Sequence, residues 1–349
     1  MQLPVMPPVR PMLARAVEVV PRAPGLLYEP KWDGFRCIAF RDGDEVELAS
    51  RRERPFTRYF PEVAEALRRA LPDRCVVDGE LVVVSGEGLD FETLQGRIHP
   101  AASRVAKLAV ETPATFVAFD LLAVGGDDLR ERPFRDRRAA LVDAVRPGLR
   151  EDVLVTPLTG DPDVAQDWFT RFEGAGFDGV VAKSSDGPYE EGRRALWKVK
   201  HRRTADCVVV GLKRHRDGEG VGSLLLGLYQ DGALHHVGAA SAFTAAHRRT
   251  LLTELAPWRA GAADGPPWRD AVPGEGWGRL TELGWEPLRP ERVAEVRYDP
   301  VASPWFRSPA RLVRWRDDKA PAECTADQLH TVAPAELRDL LGPGRAKRA

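Results

Sequence analysis

Residues 28 to 36, Tyr-Glu-Pro-Lys-Trp-Asp-Gly-Phe-Arg, set a lysine between an acidic residue and a Trp-Asp-Gly-Phe-Arg run. Of the 51 basic residues only eight are lysines and 43 are arginines. Arginine stays protonated at any working pH and would serve for surface charge, whereas lysine can shed its proton and become a nucleophile. Lys31 is therefore a candidate for chemistry. Two further pairs share its character. Side chains two apart on a strand share a face, so "VVDGELVVV" puts Asp78 and Glu80 together while Val77 and Leu81 point the other way. Carboxylates emerging from an apolar run call for a metal, a cation or a hydroxyl donor. The same rule aligns Lys198 with Lys200 in "ALWKVK", where two ammonium groups repel unless an anion lies before them; a phosphate would satisfy both. Taken singly, each signal has a plainer reading: a solvated sheet edge, an edge that blocks aggregation, or an Asp33-Gly34 turn. Their combination and order carry more than any one.

The elements that must position these residues change texture along the chain. Residues 1 to about 200 read as α+β, with short β-rich runs at "CIAF", "CVVDGELVVV", "TFVAFDLLAV" and "DGVVAK" separated by helical stretches such as "PEVAEALRRAL" and "RDRRAALVDAV". From about Thr204 the pattern becomes strands with turn signals, "QDGA" being an Asp-Gly hairpin candidate, which predicts a small barrel or sandwich. Residues 256 to 290, rich in Pro, Gly and Trp, read as a long surface loop. Thr325 followed by Gln328 predicts a capping-box start to a short helix, and "PAELRDLLG" another, before a disordered tail. The expected domains are thus 1–203, 204–329 and a C-terminal piece, 330–349.

A length of 349 residues suits roughly two domains of the usual ~100–200 residues. The net charge of -1 hides local asymmetry, since residues 193 to 203 hold six Lys or Arg and could meet a polyanion. Cys37, Cys75, Cys207 and Cys324 form no C-x-x-C pair, which argues against a zinc module and fits a reducing compartment. The proline-broken N-terminus has no signal-peptide core, and no apolar run approaches the ~18 residues of a membrane span. A cytoplasmic protein, with no membrane partner, is expected.

In order, these elements resemble the covalent nucleotidyltransferase superfamily of ATP-dependent DNA ligases, most closely the short bacterial LigC type. Motif I is similar to Lys31-Trp32-Asp33-Gly34-Phe35-Arg36, followed by "SRR" at 50 to 52; motif III to "DGELV" from Asp78; motif IIIa to "FVAFDLL" with Phe119 before Asp120. "DGVVAK" from Asp178, "LWKVK" and "RWRDDK" from Arg314 resemble motifs IV, V and VI. Five of the eight lysines, Lys31, Lys183, Lys198, Lys200 and Lys319, fall inside them. Where many relatives begin motif IV with glutamate, this chain has the shorter Asp178.

The resemblance implies an ATP-grasp-like adenylyltransferase domain followed by an OB-fold β-barrel. It implies that Lys31 attacks the α-phosphate of ATP, that AMP passes to the 5′-phosphate of a nick in double-stranded DNA, and that the 3′-hydroxyl displaces it. It assigns Phe119 to stacking on adenine, Glu29 to the adenine amino group, Arg36 with Glu80 to the ribose, and Arg51 to the ribose or nick phosphate. Arg316 and Lys319 would reach the pyrophosphate leaving group, with a hinge near His201 to Ala205. Asp33, Glu80 and Asp178 would lie near Mg2+ or Mn2+. The Lys31 pKa is expected to be lowered by burial or by the field of Lys198, Lys200, Arg36 and a bound cation. A monomer acting in repair at the nucleoid, with Ku-like or primase-polymerase partners as in relatives, completes the expectation.

Two rivals stand beside it. A GTP-using mRNA capping enzyme or an RNA ligase shares the lysine nucleophile, and an inactive nucleic-acid-binding module would share the barrel. An NAD-dependent ligase would need a cysteine zinc module that four scattered cysteines cannot build. No P-loop motif occurs; "GEGVGS" at 218 to 223 reads as a turn, adjacent His235 and His236 face opposite sides of a strand, and Trp258, Trp268, Trp277 and Trp285 read as loop packing.

Overall fold

A computed structural model describes residues 1–85, 88–145, 153–201, 203–259, 284–298, 306 and 309–329. The described residues divide into two compact units, 1–200 and 201–329. The expected helix at 334 to 342, the tail, and Trp268 and Trp277 lie outside the described residues.

In the first unit the strands are β1 (Ala14–Ala16), β2 (Leu26–Lys31), β3 (Phe35–Asp42), β4 (Glu45–Ser50), β5 (Arg74–Val82), the short β6 (Val84–Ser85) and β7 (Gly88–Leu89), β8 (Thr115–Val124), β9 (Asp127–Asp128), β10 (Val153–Val155), β11 (Gly179–Ser184) and β12 (Leu196–Lys200). They build a four-stranded sheet of order β1-β12-β11-β2 and a six-stranded one of order β10-β8-β5-β3-β4, with β9 on β8. The helices α1 (Pro61–Ala70), α2 (Phe91–Gly96), α3 (Ala102–Glu111), α4 (Phe134–Ala144) and α5 (Pro162–Arg171) flank them. The spacing of apolar residues in "PEVAEALRRA" explains α1: Val63, Ala64, Ala66, Leu67 and Ala70 fall on one buried stripe. That stripe packs on Val77 and Leu81 of β5, the alternate residues that the strand pattern turns away from Asp78 and Glu80.

The chain crosses between the sheets at residues 32 to 34. Lys31 ends β2 on the smaller sheet, and Arg36 lies on β3 of the larger. The crossing hugs β5: a Cβ on Gly34 would stand 2.1 Å from the Leu81 carbonyl oxygen. Any larger residue would push Lys31 off its strand, so the glycine of the K-x-D-G run is required by close backbone approach rather than by a free-standing turn.

Parity fixes the rest. Paired residues of neighbouring strands share a face, and Glu29 is opposite Val181, Lys31 opposite Gly179, Gly179 opposite Lys200, and Val181 opposite Lys198. One face of this sheet therefore carries Glu29, Lys31, Lys183, Lys198 and Lys200. The other carries Tyr28, Val180, Ala182 and Val199, buried with Ala165 of α5.

The second unit contains β13 (Arg203–Arg214), β14 (Val221–Gln230), β15 (Ala233–Ala240), α6 (Ala245–Leu255), β16 (Trp285–Tyr298) and β17 (Arg311–Trp315). Its five-stranded antiparallel sheet runs β15-β14-β13-β16-β17, with register shifts in each pairing. Among the described residues the sheet is open, so the expected closed barrel is not seen. "QDGA" makes the hairpin it predicts, with Asp231 and Gly232 both at positive φ between β14 and β15.

Two expectations need correction. The loop read over 256 to 290 gives way to β16 at Trp285, because Trp285, Glu286 and Pro287 pair with Lys213, Leu212 and Gly211 of β13; long-range pairing overrides the turn-rich composition. Gln328 does not close a capping box. Its side-chain oxygen accepts from the Asp206 N–H at 2.8 Å and its amide donates to the Asp206 carbonyl at 3.2 Å, matching one backbone unit with both halves of a carboxamide. The segment is a 3-10 turn, Ala326–Leu329.

Candidate active site

The site lies in the first unit, where the polar face of the smaller sheet meets β3, β5 and β8. Lys31 donates its Nζ to Asp178 Oδ2 at 2.7 Å, and Lys200 reaches the same oxygen at 2.8 Å. Gly179 stands between the two lysines in the register, and a Cβ there would come within 1.9 Å of the Val199 carbonyl oxygen. The Asp-Gly pair therefore lets β11 close on β12 while its aspartate reaches both cations.

Charge balance around Lys31 differs from the expectation. Burial acts to lower its pKa, but Asp178, Glu80 and Asp33 outweigh burial and raise it. The carboxylates win over the neighbouring cations, which favours the ammonium form of Lys31. Asp178 is held below the ordinary range because Lys31 and Lys200 overcome its burial. Lys198 is lowered by its own burial and by repulsion from Lys31 and Lys200, with Arg51 adding to it. Glu80 is pushed up to about 7 by burial, which Lys31 and Arg36 only partly offset. Asp33, Glu80, Asp178, Lys198, Lys200 and Arg51 thus all act on one electrostatic centre around Lys31.

Arg36 lies opposite Glu80 in the β3–β5 register, but its fork goes to Asp78, with Nε and Nη2 donating to the two carboxylate oxygens at 2.6 Å each. Asp78 is fully buried and also accepts from the Tyr189 hydroxyl at 2.5 Å. The strand pair Asp78 and Glu80 thus meets both the cation and the hydroxyl donor that its burial requires. Phe119 is 7% exposed, with the Arg36 guanidinium 4.4 Å and Lys183 Nζ 4.8 Å from its ring centre.

A second buried centre adjoins the first. Glu29 and Lys183, both nearly inaccessible, pair at 2.8 Å, and Lys183 also donates to the Phe119 carbonyl at 3.3 Å. Burial raises the Glu29 pKa against the pull of Lys183 and Arg138. Glu29 Oε1 and Arg138 Nη1 are buried without hydrogen-bond partners among the described residues. Orphans of this kind cost ~1–3 kcal/mol each and call for a reason. An acceptor and a donor that no described protein group satisfies suit a nucleobase edge.

Lys183 belongs to the "DGVVAK" element, yet the resemblance gives it no role. The alternation that pairs Lys198 with Lys200, applied from Gly179 through Val181, places it on the active face. Tyr189, Arg138 and Thr156, which accepts from the Trp32 indole at 2.8 Å, have no short-range signal.

In the second unit Arg316 Nη1 and Lys319 Nζ converge on Asp206 Oδ2 at 2.8 and 2.9 Å, and Arg316 also grips Asp318 through two bonds of 2.9 Å.

The profile of the ATP dependent DNA ligase domain matches residues 11–200, and that of the ATP dependent DNA ligase C terminal region matches residues 217–319. The chain belongs to the ATP-dependent DNA ligase family, as one of its LigC-type enzymes. It is 54% identical over 359 residues to DNA ligase C of Mycobacterium tuberculosis, covering 99% of each chain. It is 53% identical to DNA ligase C2 of Mycolicibacterium smegmatis, over 94% of this chain and 96% of that one. A solved Lig E DNA ligase shares the fold at a TM-score of 0.55 and 17% identity, over 88% of this chain and 99% of that one.

Proposed function

We propose that this ligase seals 5′-phosphate/3′-hydroxyl nicks in duplex DNA through an adenylate carried on Lys31. The observation that carries the reading is the row Lys31, Gly179, Lys200, with Asp178 bridging the two amines and Glu80 beside them.

Lys31 is an ammonium at rest, so attack requires that it lose its proton and its hold on Asp178. A triphosphate laid against Lys198 and Lys200 gives Lys198 an anion and Lys200 a second one beside the aspartate it shares with Lys31. The Lys31 ammonium gives up one proton to water, and its nitrogen then forms a P–N bond to the α-phosphorus as the bond to the bridging oxygen breaks, the second N–H proton leaving with pyrophosphate. Lys198, already lowered by burial and then by its cationic neighbours, gains most from the incoming phosphate charge. In this reading Glu29 Oε1 accepts from the adenine amino group, and Arg36 with Glu80 meets the ribose. Phe119 stacks on the base and Arg51 faces the ribose or the nick phosphate. In the next step AMP passes to the DNA 5′-phosphate and the 3′-hydroxyl displaces it.

Among the described residues no three His, Cys, Asp or Glu side chains converge as a ready metal cage. Asp178 and Glu80 nonetheless both act on Lys31, and a Glu80 poised near neutrality is a carboxylate short of positive charge. Such a sparse oxygen set fits Mg2+ or Mn2+, which keeps waters and takes phosphate oxygens, with Asp33 as a third candidate. Asp178, Glu80 and Asp33 would hold such an ion, which would supply neutralisation of triphosphate charge.

The second unit, read as an OB-fold barrel, delivers Arg316 and Lys319 to the leaving pyrophosphate, with the domain boundary near residues 203 and 204. Repair at the nucleoid as a cytoplasmic monomer, alongside Ku-like or primase-polymerase proteins, rests on the family resemblance. No described helix is long and apolar enough to cross a membrane. Incubation of a nicked duplex with a divalent cation and ATP or GTP tests the reading: sealing with ATP alone is expected, and sealing with GTP alone overturns it.

A further inference from the structure

The family motifs leave two pieces of the first unit without a role: the proline-broken segment before β2, and the loop between β11 and β12. They meet at one point. The Met12 N–H donates to the Tyr189 hydroxyl at 3.1 Å, that hydroxyl donates to Asp78 Oδ2 at 2.5 Å, and Arg36 Nη2 reaches back to the Met12 carbonyl at 3.4 Å. The Glu190 N–H rests on the Met12 sulfur at 3.3 Å. Around this ring Leu3, Val5, Val9 and Met12 are buried with Tyr189, Ile38 and Phe40. Further along, β1 runs parallel to β12, Ala16 opposite Lys198, and Leu13 exchanges backbone hydrogen bonds with Arg193 and Leu196.

We infer that Tyr189, clamped by the Met12 backbone, is a positioning residue that fixes the Asp78 carboxylate plane and through it aims Arg36 at the ribose of the nucleotide. The terminal torsion of an aspartate is soft, so two bonds from Arg36 alone do not set the plane of the pair. A third bond from a buried, anchored hydroxyl does. Arg36 Nε and Nη2 are both committed to Asp78, and the fork can present Nη1 in one direction only while that plane is held. The hydroxyl suits the task because burial and the Asp78 charge keep it protonated, well above the ordinary phenol range. The N-terminal segment thereby becomes a strap that ties motif I, motif III and the motif V strand into one register.

The inference rests on the ATP reading of the site, and Tyr189→Phe tests it. Labelling of Lys31 is followed with ATP and with 2′- and 3′-deoxy-ATP, in wild type, Tyr189→Phe, Arg36→Ala and the double variant. Tyr189→Phe should raise KM for ATP about tenfold with kcat nearly unchanged, and the preference for ATP over a deoxy analogue should fall by a similar factor. In the Arg36→Ala background it should add nothing. Equal losses on all three nucleotides, or full multiplication of the two single effects, would overturn the inference. If Tyr189→Phe does not fold by circular dichroism, Met12→Pro, which removes the N–H donated to the hydroxyl, reads the same selectivity. Absence of any wild-type label would count against the ATP reading itself, while normal labelling with unaltered selectivity would count against Tyr189 alone.

Discussion

In the first unit one oxygen of Asp178 holds Lys31 and Lys200; in the second, one oxygen of Asp206 holds Arg316 and Lys319. The geometry is nearly the same, with all four contacts between 2.7 and 2.9 Å. The titration behaviour is not. Around Asp178 the partners are amines crowded by a third lysine and two further carboxylates, and the group sits where charge is expensive. Glu80 is carried to about 7 there and Lys198 is lowered. Around Asp206 the chief partner is a guanidinium, which no working pH deprotonates, and Asp318 is held down to about 2 by Arg316. In the first cluster Glu80 changes protonation near neutrality, whereas the Arg316–Asp318 pair of the second only carries charge. Nucleophilic chemistry needs the first kind, and a group that meets a leaving anion needs only the second.

That contrast can be broken most sharply at Lys31. Replacing it by alanine should lower nick sealing by at least ~10³-fold, since no other amine among the described residues lies at the end of β2. Arg316→Ala should slow adenylylation by about 10- to 100-fold but leave the shape of its pH profile unchanged. A profile that moved with Arg316 would erase the distinction between the clusters.

Glu80→Gln sharpens the comparison from the other side. A carboxyl whose folded pKa is raised stabilises the fold below its unfolded value and loses that contribution as pH rises through about 7. Between pH 5 and 8 wild type should therefore lose on the order of 1–3 kcal/mol through this group, and the Gln variant should not, as read by urea denaturation. The inflection near pH 7 in adenylylation should vanish with it. Asparagine at each of the two bridging aspartates completes the comparison. Asp178→Asn leaves two half-buried ammonium groups without their carboxylate and should cost about 2–3 kcal/mol at pH 7, whereas Asp206→Asn should leave the denaturation midpoint within error.

Much of the active face is legible in the sequence, because period-two alternation is strict: counting residues is enough to fix Glu80, Lys198 and Lys200 to one side of their strands. Lys183 yields to the same count. Asp178 is legible as a motif residue, but its bridge between Lys31 and Lys200 depends on three strands meeting at Gly179, which no local pattern encodes. The expectation that cations would dominate the Lys31 field fails for a related reason. Sequence shows how many charges are near in the chain, and the fold decides which carboxylates arrive. Tyr189 and Asp206 each complete a contact more than 100 residues away. The strand at Trp285 emerges from a segment whose composition speaks for a loop, because β13 offers it a partner edge.

The most direct measurement is peptide mapping after incubation with ATP labelled at the α-phosphate and a divalent cation. The label should sit on Lys31 alone, survive denaturation, and be discharged by pyrophosphate with regeneration of ATP. A protein that seals nicks while the label maps to any other residue, or to none, would contradict an adenylate carried at the end of β2.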